Sequence, residues 1–122
     1  MYSALTVGNV WYVNSGVSAS GNGLSPEGAF STLAAAIAVA TADNGDVIFI
    51  LPSHNEGLGN AQITVSVAGL TIRGLKSGNK RPRIDFDHAN ASIDITANGV
   101  TIEGLDLLPS VTAVLVGIDV NA

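Results

Sequence analysis

The sequence predicts an all-β fold in which short parallel strands coil into a solenoid, with a single helix near the start. Three observations carry this. First, "ITVSVAGLTIRGL" (63–75) aligns without gaps on "IDITANGVTIEGL" (93–105), an offset of 30 with six of thirteen positions identical: Ile63/Ile93, Gly69/Gly99, Thr71/Thr101, Ile72/Ile102, Gly74/Gly104 and Leu75/Leu105. A partial third copy follows 25 residues on, where "GIDVNA" (117–122) matches "SIDITA" (92–97). Second, apolar and polar residues alternate within each segment, so every strand has one dry and one wet face. Third, only "AFSTLAAAIAVATA" (29–42) has helical spacing. Copies that recur in the same order and register suit stacked coils. A β-sandwich, the main rival, pairs its strands by hairpins and needs no such recurrence.

Along the chain, residues 1–9 lack a clear period and read as an N-terminal arm, and 10–122 as the solenoid domain. "VWYV" (10–13) is β-branched and aromatic, a short strand. The Gly/Ser/Asn-rich 14–28 is loop. In the helical segment, Phe30, Leu33, Ala34, Ile37 and Ala38 form one apolar face, and alanine favours the helix. Ser25 ahead of Pro26, or Ser31, is the expected N-cap. Asn44-Gly45 suits a left-handed turn at the helix C-terminus. Coils are expected from the apolar strand "VIFILP" (47–52) onward. Ile63, Val65 and Val67 alternate with Thr64 and Ser66, Ile84 and Phe86 with Asp85 and Asp87, and Ile93 and Ile95 with Asp94 and Thr96. Ala68-Gly69 and Asn98-Gly99 are expected to turn corners.

Composition narrows the function. The chain has 122 residues, enough for one domain, with 47% hydrophobic and 12% charged residues. That balance is the reverse of a disordered chain. The net charge of −5 argues against wrapping nucleic acid. With no cysteine, disulfides, thiolate metal sites and cysteine nucleophiles are excluded. The first residues have neither a basic region nor a long apolar run, so no secretion signal is expected. The longest apolar stretch, "LAAAIAVA" (33–40), is far shorter than the roughly 20 residues of a membrane span. A soluble protein without membrane contact is expected.

Residues 11–52 resemble the opening segment of single-stranded right-handed β-helix proteins of the pectate-lyase-like superfamily. The matching positions are Gly23 to Pro26, Ala29-Phe30, Thr32-Leu33, Ala36-Ile37, and Gly45-Asp46 with Ile48. The resemblance implies a short right-handed parallel β-helix of about three rungs whose N-terminal helix covers the open apolar end of the coil. A narrower likeness spans 51–108. Pro52, His54 and Glu56, then Gly69, Ile72, Gly74, Gly78, Arg81, Pro82, Ile84 and Phe86, match a pattern found in tailed-bacteriophage proteins that are generally virion components. This likeness implies a structural role in the virion, as capsid decoration or a head–tail accessory, in contact with the major capsid protein or another virion protein, as a homo-oligomer or in many copies per particle. Fold alone would not distinguish it from a lyase or a spacer.

All five cationic side chains fall in "RGLKSGNKRPR" (73–83). No aromatic residue is interleaved, as single-strand binding would require, and Asp85 and Asp87 oppose phosphate. Arg73 is expected to lie over Glu103 as an interstrand pair. Lys76, Lys80, Arg81 and Arg83 remain as a solvated loop or as candidate contacts to an acidic protein surface. His54 and Glu56, at i and i+2, are too few for a metal site and read as a polar turn bonding the backbone. Arg83, Asp85 and Asp87 would project from one sheet face, the constellation of a glycan-cleaving or glycan-binding site. Three short rungs, however, offer a sugar chain little concavity, and solubilising charge on an exposed sheet face is the better reading of these residues. No catalytic residue, metal or cofactor is expected. No phosphate-binding, dinucleotide, zinc-protease or serine-elbow motif occurs. Asp94 is expected to stack over Asp119. The sequence stops within a rung at "GIDVNA", which predicts a longer chain or a partner over that end.

Overall fold

The computed structural model describes residues 8–17, 21–52, 54–57, 62–75, 77, 81–86, 92–109 and 118–120. These form one short helix, α1 (Leu33–Val39), and ten strands: β1 (Val10–Val13), β2 (Val47–Ile50), β3 (Asn55–Gly57), β4 (Gln62–Val65), β5 (Thr71–Gly74), β6 (Arg83–Phe86), β7 (Ser92–Ile95), β8 (Thr101–Glu103), β9 (Asp106–Pro109) and β10 (Ile118–Val120).

Every strand pairing is parallel, in three sheets of order β1-β2-β5-β8, β3-β6-β9 and β4-β7-β10. After β1 and α1 the chain visits the three sheets in the same order three times: β2, β3, β4, then β5, β6, β7, then β8, β9, β10. The offsets read from the sequence are the registers: Ile63 pairs with Ile93 and Ile72 with Ile102, 30 residues apart, and Ile93 pairs with Ile118, 25 apart. Alternation sets the faces. In β6, Ile84 and Phe86 are buried while Arg83 is exposed; in β4, Ile63 and Val65 are buried and Thr64 is exposed. The inward rows Trp11–Ile48–Ile72–Ile102 and Val13–Ile50–Gly74 join Ile63, Val65, Ile84 and Ile93 in one core, against which α1 sets Leu33, Ala36 and Ile37.

Glycine shapes two corners. Gly45, Gly69 and Gly99 each precede a strand of the first sheet by two residues, and each has φ between 72° and 76°. Asn44-Gly45 is therefore the first of three equivalent corners, not the C-terminal turn of the helix, which ends at Ala40 in extended conformation. At the far end of the same strands, Gly104 (φ 75°) lies against Gly74, and a Cβ on Gly104 would meet the Gly74 carbonyl oxygen at 2.5 Å. Gly104→Ala is expected to cost about 2 kcal/mol from left-handed strain and overlap, measured as a lower midpoint in urea.

The helix is shorter than 29–42 and starts later. Phe30 is drawn out of it by a parallel bridge to Val13, with Phe30 N donating to Tyr12 O and Asn14 N to Phe30 O. The N-cap is consequently Thr32, whose hydroxyl accepts from Ala35 N at 3.3 Å, and neither Ser25 nor Ser31. Ser25 Oγ instead accepts from Gly28 N within the preceding loop. No helix among the described residues is long and apolar enough to cross a membrane.

Candidate functional site

Three inward-facing positions of the first circuit carry polar groups where later circuits are apolar. Asp46 takes the place that Leu70 and Val100 hold before β5 and β8: Thr71 N donates to Asp46 O as Thr101 N does to Leu70 O. His54 takes the place of Pro82 and Leu105, since Arg83 N donates to His54 O and Asp106 N to Pro82 O. Glu56 shares its register position with Ile84. Leu70, Pro82 and Ile84 are buried, and Val100 and Leu105 pack against the core. On the side away from the second circuit, the first circuit meets β1 and α1, and its polar atoms bond to that helix and the chain around it.

Asp46, fully buried, holds four donors. Oδ1 accepts from Asn9 N and Asn44 Nδ2, each at 2.8 Å; Oδ2 accepts from Thr41 N at 2.9 Å and from Trp11 Nε1 at 3.4 Å. Burial opposes the charged carboxylate, but the backbone donors Thr41 and Asn9, with Asn44 and Trp11, outweigh it, and the Asp46 pKa lies below its ordinary value. One carboxylate thus ties β1, the chain leaving α1 and the corner before β2.

His54 and Glu56 fasten the other end of the helix. Ser15 N donates to His54 Nδ1 at 2.9 Å. An Nδ1 that accepts a hydrogen bond bears no proton, so the ring is the neutral Nε2–H tautomer and donates to Glu56 Oε1 at 2.8 Å. The same Oε1 accepts from Leu33 N at 3.0 Å, placing a carboxylate at the first turn of α1. Ser15 Oγ in turn accepts from Asn55 N at 2.9 Å. The expected bonding of these side chains to backbone is present, but 55–57 is strand β3 rather than turn. Both ring nitrogens are engaged and the ring is buried, so His54 is built as a strut. Among the described residues, no group of three or more His, Cys, Asp or Glu side chains could hold a metal.

The other candidates are more dispersed. Arg73 pairs in register with Glu103, its Nε 3.7 Å from Oε2, both side chains about half exposed. Such a pair contributes little; Arg73→Ala is expected to shift stability by no more than about 1 kcal/mol, checked by the same urea midpoint. Arg81 is exposed just before β6. Arg83 and Asp85 occupy the outward positions of β6, with Arg83 exposed and in register between Asn55 and Asp106. Lys76, Lys80 and Asp87 lie outside the described residues. Asp94 and Asp119 are register partners, as expected. Asp46, whose carboxylate accepts from four donors, is a structural side chain that the sequence reading missed. Its signal was available: "NGDVIFIL" (44–51) aligns on "NGVTIEGL" (98–105), and a lone carboxylate stands at an apolar position of the repeat.

Compared with known proteins, the chain matches no family model, no curated protein and no solved structure.

Proposed function

We propose that the chain is a short single-stranded right-handed parallel β-helix of about three turns, closed at its N-terminal end by α1, and that it serves as a structural component of a tailed-bacteriophage virion, as capsid decoration or a head–tail accessory. The observation that carries the reading is the commitment of the buried polar side chains. Asp46, His54 and Glu56 all bind the chain that covers the core, as a rigid element would use them. The threefold recurrence of strands in parallel register supports the coil. The likeness of 51–108 to virion proteins supports the setting. Adhesion is the mechanism: stacked strands present an acidic outer surface, and the 73–83 segment offers Lys76, Lys80, Arg81 and Arg83 to carboxylates of the major capsid protein or another virion protein.

The test is composition of purified particles. Phage particles from infected cells that make this chain, banded by density and analysed by mass spectrometry, are expected to contain it in stoichiometric amount. Recovery only as free protein would defeat the virion reading. Lys80→Glu with Arg81→Glu is expected to abolish salt-sensitive binding to capsids lacking the chain. The rival is a carbohydrate-active domain, a polysaccharide lyase, glycosidase or glycan-binding spike fragment, favoured by the shared outward row of Arg83 and Asp85 on β6. Glycan cleavage lost in both Asp85→Ala and Asp87→Ala would establish the rival and overturn the structural reading.

A further inference from the structure

The outward row of the first sheet runs Tyr12, Phe49, Arg73, Glu103, one residue from each of β1, β2, β5 and β8. Two aromatic rings, their centroids 5.9 Å apart, are thus followed by a cation and an anion. Beside it runs Val10, Val47, Thr71, Thr101. None of the eight is fully buried, and Arg73 and Glu103 are about half exposed. The charges of these two rows balance, one cation beside one anion. The second sheet's outward positions carry Asp85 and Asp106 against Arg83, and the third sheet's carry Asp94 beside Thr64. In a protein of net charge −5, this row sets opposite charges side by side, so a second copy of it does not meet like charge with like.

We infer that this face binds a second copy of the same chain. A two-fold axis parallel to the strands, passing between β2 and β5, keeps the strands of the two copies parallel and reverses the order of the row. Phe49 then meets Arg73 of the second copy, ring against guanidinium, and Tyr12 places its hydroxyl against the second copy's Glu103 carboxylate. Each contact occurs twice, as a closed two-fold interface requires. Val10 faces Thr101, and Val47 faces Thr71. Four strands about 4.8 Å apart and about 3.3 Å per residue give a small patch, well under the roughly 800 Å² per partner of a standard interface. The dimer is therefore weak and concentration-dependent. This inference goes beyond the virion reading and does not depend on it.

Sedimentation equilibrium of the full chain tests it. A monomer–dimer equilibrium is expected. Tyr12→Phe and Glu103→Gln, which leave packing intact, are each expected to weaken it about three- to tenfold, since each alters two partly exposed polar contacts. Within one chain Tyr12 and Glu103 are three strands, about 14 Å, apart. Their effects on dimerisation are nonetheless expected to be non-additive, because the two groups meet across the axis. A chain monomeric at every concentration would overturn the proposal. So would a dimer indifferent to both substitutions, or one in which their effects simply add.

Discussion

Replacing Asp46 with alanine is expected to lower the stability of the fold by about 3–5 kcal/mol, the range for orphaning several buried donors together. The carboxylate alone satisfies Asn9 N, Thr41 N, Asn44 Nδ2 and Trp11 Nε1. The alanine methyl accepts from none of them, and Asp46 is buried, so water has no direct route to replace it. Trp11 is the sole tryptophan and reports the loss by fluorescence in urea. Asp46→Asn separates charge from shape. It keeps one acceptor oxygen but points an amide at donors that previously met oxygen. Because the folded state holds the Asp46 proton less tightly than the ordinary value of 3.8, the carboxylate contributes stability above that pH and loses it as pH falls through the lower folded value. The asparagine variant is expected to be less stable than the wild type at neutral pH, with the gap narrowing in acid below 3.8. A gap that widened in acid would reverse the assignment.

Glu56→Ala is expected to cost about 2–3 kcal/mol, because it strands two donors, Leu33 N and His54 Nε2, that share one oxygen. Glu56→Gln keeps an acceptor at the same place and is expected to cost about 1 kcal/mol or less. His54→Ala breaks the chain of bonds one step earlier, leaving Ser15 N without its acceptor. His54→Ala and Glu56→Ala together are expected to cost less than the sum of the two, since each already breaks the bond between them. Urea midpoints of the four variants check this. The seven-residue helix is too short to persist alone, so its order depends on these anchors and on the burial of Leu33, Ala36 and Ile37.

The strands legible in the sequence were those whose inward residues are apolar. Ile63/Ile93 and Ile72/Ile102 announced both face and register, the 25-residue offset announced the Ile93–Ile118 pairing, and from that register the Arg73–Glu103 and Asp94–Asp119 pairs followed. Where the inward row turns polar, the pattern fails. Strand β3 has Glu56 inside and Gly57 beside it, and reads as a turn. Asp46 breaks the apolar row in the same way, which disguised the Asn44-Gly45 corner as a helix stop, while the strand after it was legible. Phe30 has helical spacing from Leu33, Ala34 and Ile37, yet the bridge to Val13 claims its backbone first. Helical period and strand pairing compete for such a residue, and only the tertiary contact decides. For the candidate site, His54 and Glu56 were visible as a polar pair, but their partners Ser15 and Leu33 lie 39 and 23 residues away in sequence.

Polar side chains of the first circuit fasten the covering helix to the parallel strands. Native-state hydrogen exchange at the Leu33 amide tests it most directly, with the Thr71 and Thr101 amides as internal references for the sheet. In the wild type, Leu33 is expected to exchange slowly. In Glu56→Ala it is expected to lose protection while Thr71 and Thr101 keep theirs. A Leu33 amide that exchanges freely in the wild type, or that stays equally protected without Glu56, would mean that Glu56 does not hold the helix.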